Sequence, residues 1–231
     1  MTQTVAVILA RGGSKGIPRK NLVDLCGRPL LVWSILSAVD ADGVDSVWVS
    51  SDDDEILSVS AAAGANTISR PIELADDVAT SESGWVHALD VIERDQGRVD
   101  LVVGLQATSP LRTGGDIDKA IADRREQECD SLLSVEVLDD FLIWQKDASF
   151  GYSSVNYDYR NRGRRQDREL QYHENGSIYV FTPELLRRKG NRLGGRIGVS
   201  VMPAWRSLQI DSPEDLELCT TIMLRYMLGG E

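Results

Sequence analysis

The run TVAVILARGGSKGIPRKN, residues 4–21, decides the fold. Residues 4–10 are short, apolar and rich in β-branched side chains, which is typical of a buried parallel strand followed by a glycine-containing loop. Glycines in such a loop let the backbone N–H groups approach a phosphate closely, and cations neutralise it. The loop matches neither the P-loop of ATPases nor the dinucleotide-binding glycine motif. We therefore predict a polyphosphate beside the first strand, held by the loop residues Arg11, Gly12, Gly13, Ser14, Lys15, Gly16, Arg19, Lys20 and Asn21.

Strands and helices alternate through most of the remaining chain. The predicted strands are 45–51, 99–105, 131–137, 176–182 and 198–202, and the predicted helices are 29–39, 53–63, 81–95, 116–127 and 213–227, with Ser81 and Ser212 as N-caps. This order predicts a parallel sheet with helices on both faces. Ligands of such sheets bind beyond the carboxyl ends of the strands, so loops 11–21, 51–54 and 106–115 are candidate ligand loops.

The alternation stops at residues 138–175. This segment carries Asp139, Asp140, many aromatics (Phe141, Trp144, Phe150, Tyr152, Tyr157, Tyr159) and five arginines (Arg160, Arg162, Arg164, Arg165, Arg168). It is too long for a turn and too aromatic for a disordered tail. We interpret it as an inserted arm that packs on a second subunit, and the alternative is a long surface loop folded onto its own domain. The core would then comprise 1–137 and 176–231.

The composition excludes several classes of protein. A net charge of −11 argues against nucleic-acid binding, and its local cationic clusters suggest small anionic ligands or ordinary solvated surface. No apolar run is long enough to span a bilayer, and the N-terminus does not resemble a signal peptide. The three cysteines lack metal-ligand spacing and fit reduced thiols, so we expect a cytoplasmic protein.

Several motifs together resemble the N-acylneuraminate (sialic acid) cytidylyltransferase family. They follow the family order across nearly the whole chain: LARGGSKGIPRKN at 9–21, SRPIELADDVATS at 69–81 (which includes Asp77), QATSPLR at 106–112, RRQD at 164–167, NGSIY at 175–179, and Ile210-Asp211 with Asp215-Leu216. The resemblance implies a Rossmann-like parallel sheet with a mixed edge, of the nucleotide-diphospho-sugar transferase type, and an arm exchanged between the two subunits of a homodimer. It also implies attack of an acidic 2-keto sugar on CTP, assisted by Mg²⁺, to give a CMP-sugar and pyrophosphate.

The matched positions imply residue roles. Nucleotide-binding positions are Leu9, Ala10, Arg11, Gly12, Ser14, Lys15, Lys20, Asn21, Arg70 and Ser81; sugar-binding positions are Gln106, Thr108, Ser109, Arg165, His173 and Tyr179; catalytic positions are Arg11, Lys15, Lys20, Gln106 and Asp211, which is also the metal position. Taken singly, three of these residues have an ordinary structural alternative. Arg70 could be a surface residue at a strand end, Asp211 an acidic residue at a helix start, and Tyr179 an aromatic residue of the core.

Departures from the family pattern concentrate on the sugar side. Gln209 stands where the family has an aspartate, and a neutral amide weakens a magnesium site. His173 stands where sialic acid enzymes can carry an arginine, and Ala107 replaces a proline. Three hypotheses remain: a cytidylyltransferase for a nine-carbon or similar keto acid, a nucleotidyltransferase using another acidic sugar, sugar phosphate, phosphonate or nucleotide, and a non-catalytic nucleotide-binding homologue.

Overall fold

The computed structural model describes residues 2–76, 79–138, 141–148 and 151–229, apart from the side chain of Arg165. Four residues named above, Asp77, Asp139, Asp140 and Phe150, lie outside these ranges. The strands are β1 Thr4–Leu9, β2 Asp24–Leu25, β3 Arg28–Pro29, β4 Ser46–Ser51, β5 Asn66–Ser69, β6 Leu101–Gln106, β7 Ser131–Val137, β8 Trp144–Asp147, β9 Gly151–Ser154, β10 Tyr172–Phe181 and β11 Ile197–Val201. The α-helices are α1 Leu30–Val39, α2 Asp54–Ala62, α3 Ser81–Gln96, α4 Gly114–Glu126, α5 Pro183–Lys189 and α6 Pro213–Tyr226.

Seven strands form the central sheet, in the order β11-β7-β10-β6-β1-β4-β5. β1 pairs in parallel with β4 and β6, whereas β10 runs antiparallel between β6 and β7. The predicted parallel sheet is therefore confirmed in outline, but its antiparallel strand lies inside the sheet and not at its edge. Because β1, β4 and β6 are parallel neighbours, their carboxyl ends and following loops meet at one edge.

Helices cover both faces of this sheet. Apolar side chains of α1, α2 and α4, such as Ile35, Ile56 and Ile117, pack with one face. Those of α3 and α5, such as Leu89 and Leu186, pack with the other face. Burial on both sides explains why β1 is an uninterrupted apolar run, since each face of the strand contacts a core. Helix α6 closes a third, smaller cluster beside the loop that follows β1.

Local sequence signals located one helix N-cap correctly and placed another one residue too late. Ser212 caps α6 in a capping box with Asp215, as its sequence pattern predicts. The prediction that Ser81 caps α3 is wrong: Thr80 has the extended backbone of an N-cap, and its hydroxyl accepts from the N–H of Ser83. The short elements β5 and α5 escaped prediction. β5 has four residues, NTIS, of which only the apolar Ile68 is buried. A segment this short with one apolar residue shows no alternation of apolar and polar side chains.

The segment 138–175 holds the hairpin of β8 and β9, and its last residues already belong to the sheet. β10 begins at Tyr172, where it pairs with Val137 of β7, so the predicted boundary at residue 175 falls inside a strand. The indole of Trp144 packs against the rings of Tyr157 and Tyr159. The division into a core and an arm stays a prediction. The pairing of β10 with β7 places the last residues of the predicted arm in the central sheet.

No helix in the described ranges is long and apolar enough to cross a membrane.

Candidate active site

Two adjoining cavities open where β1 and β6 end. The first has a volume of about 260 Å³, and the second about 320 Å³. The first is lined by Leu9, Arg11, Gly13, Ser14, Lys20, Asn21, Ser81, Trp85, Leu105, Gln106, Ala107 and Thr108. The second is lined by Leu9, Arg11, Arg70, Leu74, Ala75, Asp76, Ala79, Thr80 and Ser81. The structure thus brings the loop after β1 together with the end of β6 and the start of α3, and Leu9, Arg11 and Ser81 border both cavities.

The loop after β1 is bonded at its start to residues at the end of β4, and its two ends are bonded to each other. The N–H of buried Ala10 donates to the carbonyl of Ser50 at 3.0 Å, and the N–H of Gly12 donates to Asp52 Oδ1 at 3.0 Å. At the far end, Asn21 Nδ2 donates to the carbonyl of Arg11 at 2.8 Å. Short polar bonds of this kind hold the loop backbone over the cavity before any ligand arrives.

The loop's cations have different surroundings. Lys20 lines the first cavity, and its Nζ lies 2.7 Å from Asp211 Oδ1. Arg19, in the left-handed conformation, points to the start of α2, where it pairs with Asp53 and Glu55. Lys15 is exposed. Arg11 and Lys20 are therefore the cations that the structure places on the cavity wall, whereas Arg19 serves the loop's anchoring.

Arg70 is the buried cation of the second cavity. It is only 6% exposed, and burial lowers the pKa of its guanidinium, an effect that the nearby charge of Arg11 increases and that of Asp52 opposes. Its Nη2 lies 3.9 Å from Asp52 Oδ1, and its Nε has no hydrogen-bond partner in the described part of the chain. The interpretation of Arg70 as an ordinary surface residue is wrong. A guanidinium in the lining of a cavity suits a polar ligand group.

Gln106 ends β6 and lines the first cavity. Thr108 Oγ1 lies 3.4 Å from Gln106 Oε1, whereas Ser109 is buried beneath the loop and lines neither cavity. The backbone here depends on Arg112, whose Nη1 donates to the carbonyl of Ser177 at 2.7 Å and whose Nη2 donates to that of Gln106. Burial lowers the pKa of Arg112 to about 9. Arg112 ties β6 to β10 and was not predicted as a site residue.

Tyr179 lies behind the cavity wall. It is 2% exposed, its hydroxyl donates to Glu174 Oε1 at 2.5 Å, and the guanidinium of Arg192 lies over its ring at 4.2 Å. Burial, and secondarily Glu174, raises the pKa of the phenol. Its ring centroid is 6.1 Å from that of Trp85, which does line the cavity. The spacing of Trp85, four residues after Ser81 on α3, was the signal that could have revealed it.

His173 lies on the outer part of β10. Its ring Nδ1 is 2.9 Å from Glu136 Oε1 on the neighbouring strand, the side chain is exposed, and it lines neither cavity. The side chain of Arg165 is outside the described part of the structure. The structure therefore does not bring His173 together with Gln106 in either cavity, and the sugar-binding roles of His173 and Arg165 stay predictions.

Asp211 stands beside the loop after β1. Its carboxylate is largely exposed and pairs with Lys20, and its backbone carbonyl lies against Gly16. Hydrogen bonds from the N–H of Asp211 and from Ser212 lower the pKa of Asp215, the capping residue of α6. No cluster of three or more metal-binding side chains occurs in the described ranges.

Known proteins resemble this chain along nearly its whole length. The family model described as cytidylyltransferase matches residues 5–220. This chain belongs to the cytidylyltransferase family. The N-acylneuraminate cytidylyltransferase of Oncorhynchus mykiss is 37% identical over 97% of this chain, which covers 51% of that protein. The pseudaminic acid cytidylyltransferase of Campylobacter jejuni is 28% identical over 93% of this chain and 94% of its own length.

The fold has close structural counterparts. A CMP:2-keto-3-deoxy-manno-octonic acid synthetase, solved in complex with CTP, superimposes with a TM-score of 0.72 at 18% identity, over 98% of this chain and 100% of that one. At this identity the likeness concerns the fold, and it confirms the expected nucleotidyltransferase-like sheet. The chain spans about half the length of the N-acylneuraminate cytidylyltransferases that it matches. The family resemblance of the motifs is confirmed.

Proposed function

We propose that this cytidylyltransferase-family chain transfers CMP from CTP to an acidic 2-keto sugar of the sialic acid or a related nonulosonate type, releasing pyrophosphate. The observation that carries the proposal is the meeting of Arg11 and Lys20 with Gln106 in one cavity. Cations beside flexible glycine backbone suit a triphosphate, and Gln106 offers an amide to a sugar on the adjacent strand end. Family membership and the names of the relatives support the nucleotide and the class of sugar.

The two cavities would bind different parts of the substrates. The second cavity, with buried Arg70, would take the nucleoside end, and Arg11 at the shared wall would face the phosphates. The sugar would lie near Gln106, with Trp85 behind it. Its anomeric hydroxyl oxygen bonds to the α-phosphorus while the bond from that phosphorus to the bridging oxygen breaks, so pyrophosphate leaves and the hydroxyl proton is released. Such chemistry depends mainly on positioning and charge stabilisation, which Lys20 and the loop supply.

Asp211 is the residue that we propose to hold Mg²⁺, together with phosphate oxygens of the nucleotide. An exposed carboxylate beside Lys20 and the phosphate loop has the donor chemistry that magnesium prefers. When bound, the ion would neutralise charge on the phosphates. Replacing Asp211 by asparagine should raise the Mg²⁺ concentration required for half-maximal rate. An unchanged requirement would exclude Asp211 as a ligand.

The arm supports a homodimer as part of the proposal. It exposes large apolar side chains, among them Phe141, Tyr152 and Leu170, each more than 60% exposed. A second copy would bury these side chains and could bring Arg165 of one subunit to the sugar of the other. Sedimentation should show a dimer that Tyr152→Glu weakens without lowering the melting temperature. A stable wild-type monomer at assay concentration would refute the shared site.

Pyrophosphate release tests the reaction itself. The wild-type protein is incubated with Mg²⁺, each nucleoside triphosphate in turn, and a panel of nine-carbon and eight-carbon keto acids. We expect release only with CTP and an acidic sugar. No release with CTP and any member of the panel would refute the proposal, and turnover with GTP alone would favour a different nucleotide. CTP binding without turnover would indicate a nucleotide-binding homologue.

We also propose a cytoplasmic location, because Cys26, Cys129 and Cys219 are all unpaired thiols. Fractionation of the producing cells, with the protein detected by antibody, tests this location.

A further inference from the structure

We propose that Gln209 is a positioning residue, whose side-chain amide holds the Asn175–Gly176 bulge of β10 against Gln106. An amide, and not a carboxylate, is what this position needs. The role of Gln106 toward an acidic sugar comes from the proposed function, so this inference deepens that function and rests on it.

The contact joins two segments that are distant in the chain. Gln209 Nε2 donates to the carbonyl oxygen of Asn175 at 2.5 Å. Asn175 is 1% exposed, and its own side chain accepts from Ser134 Oγ and the N–H of Ser177 and donates to Ser207 Oγ. Gln209 thus supplies the backbone carbonyl of a buried residue with its donor. A buried carbonyl left without one is costly, so the contact constrains this part of β10.

The bulge lies directly beside the cavity residue. The register of β10 against β7 shifts between Glu174 and Tyr179, and Gly176 adopts a φ of +65°, which favours glycine. A Cβ atom at Gly176 would lie 2.5 Å from Gln209 Nε2 and 3.4 Å from Gln106 Oε1. Gly176 is therefore enclosed by the two amides. The position of the bulge limits where the Gln106 side chain can lie in the cavity.

The chemistry of this contact argues against a metal-binding role for position 209. The resemblance implies an aspartate there, but an ionised carboxylate has no hydrogen to donate. It would place negative charge against the carbonyl oxygen of Asn175 and release the bulge. In this chain the amide of Gln209 is used for structure, and the charged oxygen of this segment is that of Asp211.

The decisive variant is Gln209→Glu, which keeps the length of the side chain and removes the donor. Gln127→Glu is its matched control, because Gln127 also bridges to backbone: its Nε2 donates to the carbonyl of Val199 at 2.8 Å, and its Oε1 accepts from the N–H of Val199. For Gln209→Glu we expect kcat/KM for the acidic sugar to fall at least tenfold, while the Kd for CTP stays within twofold and the Mg²⁺ requirement is unchanged. The control should melt earlier than wild type yet keep wild-type sugar kinetics.

A second readout is independent of turnover. In protein labelled with ¹⁵N-glutamine, the side-chain amide resonance of Gln106 should shift in Gln209→Glu and not in Gln127→Glu. If Gln209→Glu does not fold, Gln209→Met removes the donor without adding charge and takes its place. Wild-type sugar kinetics with an unmoved Gln106 resonance would overturn the inference, as would higher activity at low Mg²⁺, which marks a ligand position. An inactive wild type would refute the proposed function. The chemical shift of the Gln106 side-chain amide would still test whether Gln209 positions Gln106.

Discussion

Gly16→Ala is the sharpest test of how the loop after β1 packs against the Asp211 segment. A Cβ atom at Gly16 would lie 2.2 Å from the backbone carbonyl oxygen of Asp211, whereas ordinary contacts of such an atom begin at 3.4 Å. Both groups are attached to backbone, so no side-chain rotation relieves the overlap. The loop and the Asp211 segment must separate by about 1 Å, and overpacking of this kind costs about 1–3 kcal/mol.

Gly13→Ala in the same loop is the matched control, since a Cβ atom there would meet nothing within 4 Å. Both substitutions restrict the unfolded chain equally, by about 0.4–1 kcal/mol, so their difference isolates the overlap. We expect urea denaturation followed by circular dichroism to give Gly16→Ala a free energy of unfolding about 1–3 kcal/mol below that of Gly13→Ala. The same displacement should stretch the bond between Lys20 and Asp211, and a shift of about 1 Å can cost a turnover factor of about 100. Equal stability of the two variants would refute the close contact.

Three further expectations follow from the same geometry. Lys15→Ala should remove most of the pyrophosphate release, because it removes a cation expected to hold the nucleotide phosphates. The melting temperature should stay unchanged, because the side chain is exposed in the loop. Wild-type turnover would refute the role of Lys15 toward phosphate. Asp215→Asn should lose about 1 kcal/mol of stability at pH 7, because Asp215 accepts bonds from backbone and hydroxyl donors that lower its pKa. That contribution is complete above the unfolded carboxyl pKa of about 3.9 and is lost as the pH falls through the lower folded value, so the two proteins should converge in acid denaturation. Iodoacetamide at pH 8 should label Cys26 before Cys219 in a mass-spectrometric time course, because Cys219 is buried and burial raises its pKa to about 11; equal labelling rates would contradict that burial.

Much of the fold followed from local patterns. The apolar, β-branched run of residues 4–10 predicted β1, and the Ser212 capping pattern predicted the start of α6. The start of β10 could not be predicted, because Tyr172 to Asn175 is polar and becomes strand only through pairing with β7. The choice of Thr80 over Ser81 as N-cap was likewise ambiguous, since both side chains can cap and the backbone conformation decides.

The candidate site divides in the same way. The loop after β1 and Gln106 after β6 were expected to meet, because both follow parallel strands whose carboxyl ends lie at one edge. Trp85 lies on the apolar face of α3, as its helical spacing favours, and only the packing of α3 on the sheet shows that it also borders the cavity. Arg112 ends the QATSPLR motif, but its buried bonds to β10 require a strand order that no local pattern encodes.

Residues 4–21 by themselves predict a polyphosphate held beside a buried strand, and the ordered motifs narrow the chain to the cytidylyltransferase family. Two bonds of the candidate site are long-range: Lys20 to Asp211 and Gln209 to Asn175 join residues 191 and 34 positions apart. Such contacts depend on the strand order and on the bulge in β10, which arise from packing and not from the periodicity of any one segment. The tertiary structure therefore decided which cations face the cavity, and which carbonyl the amide of Gln209 contacts.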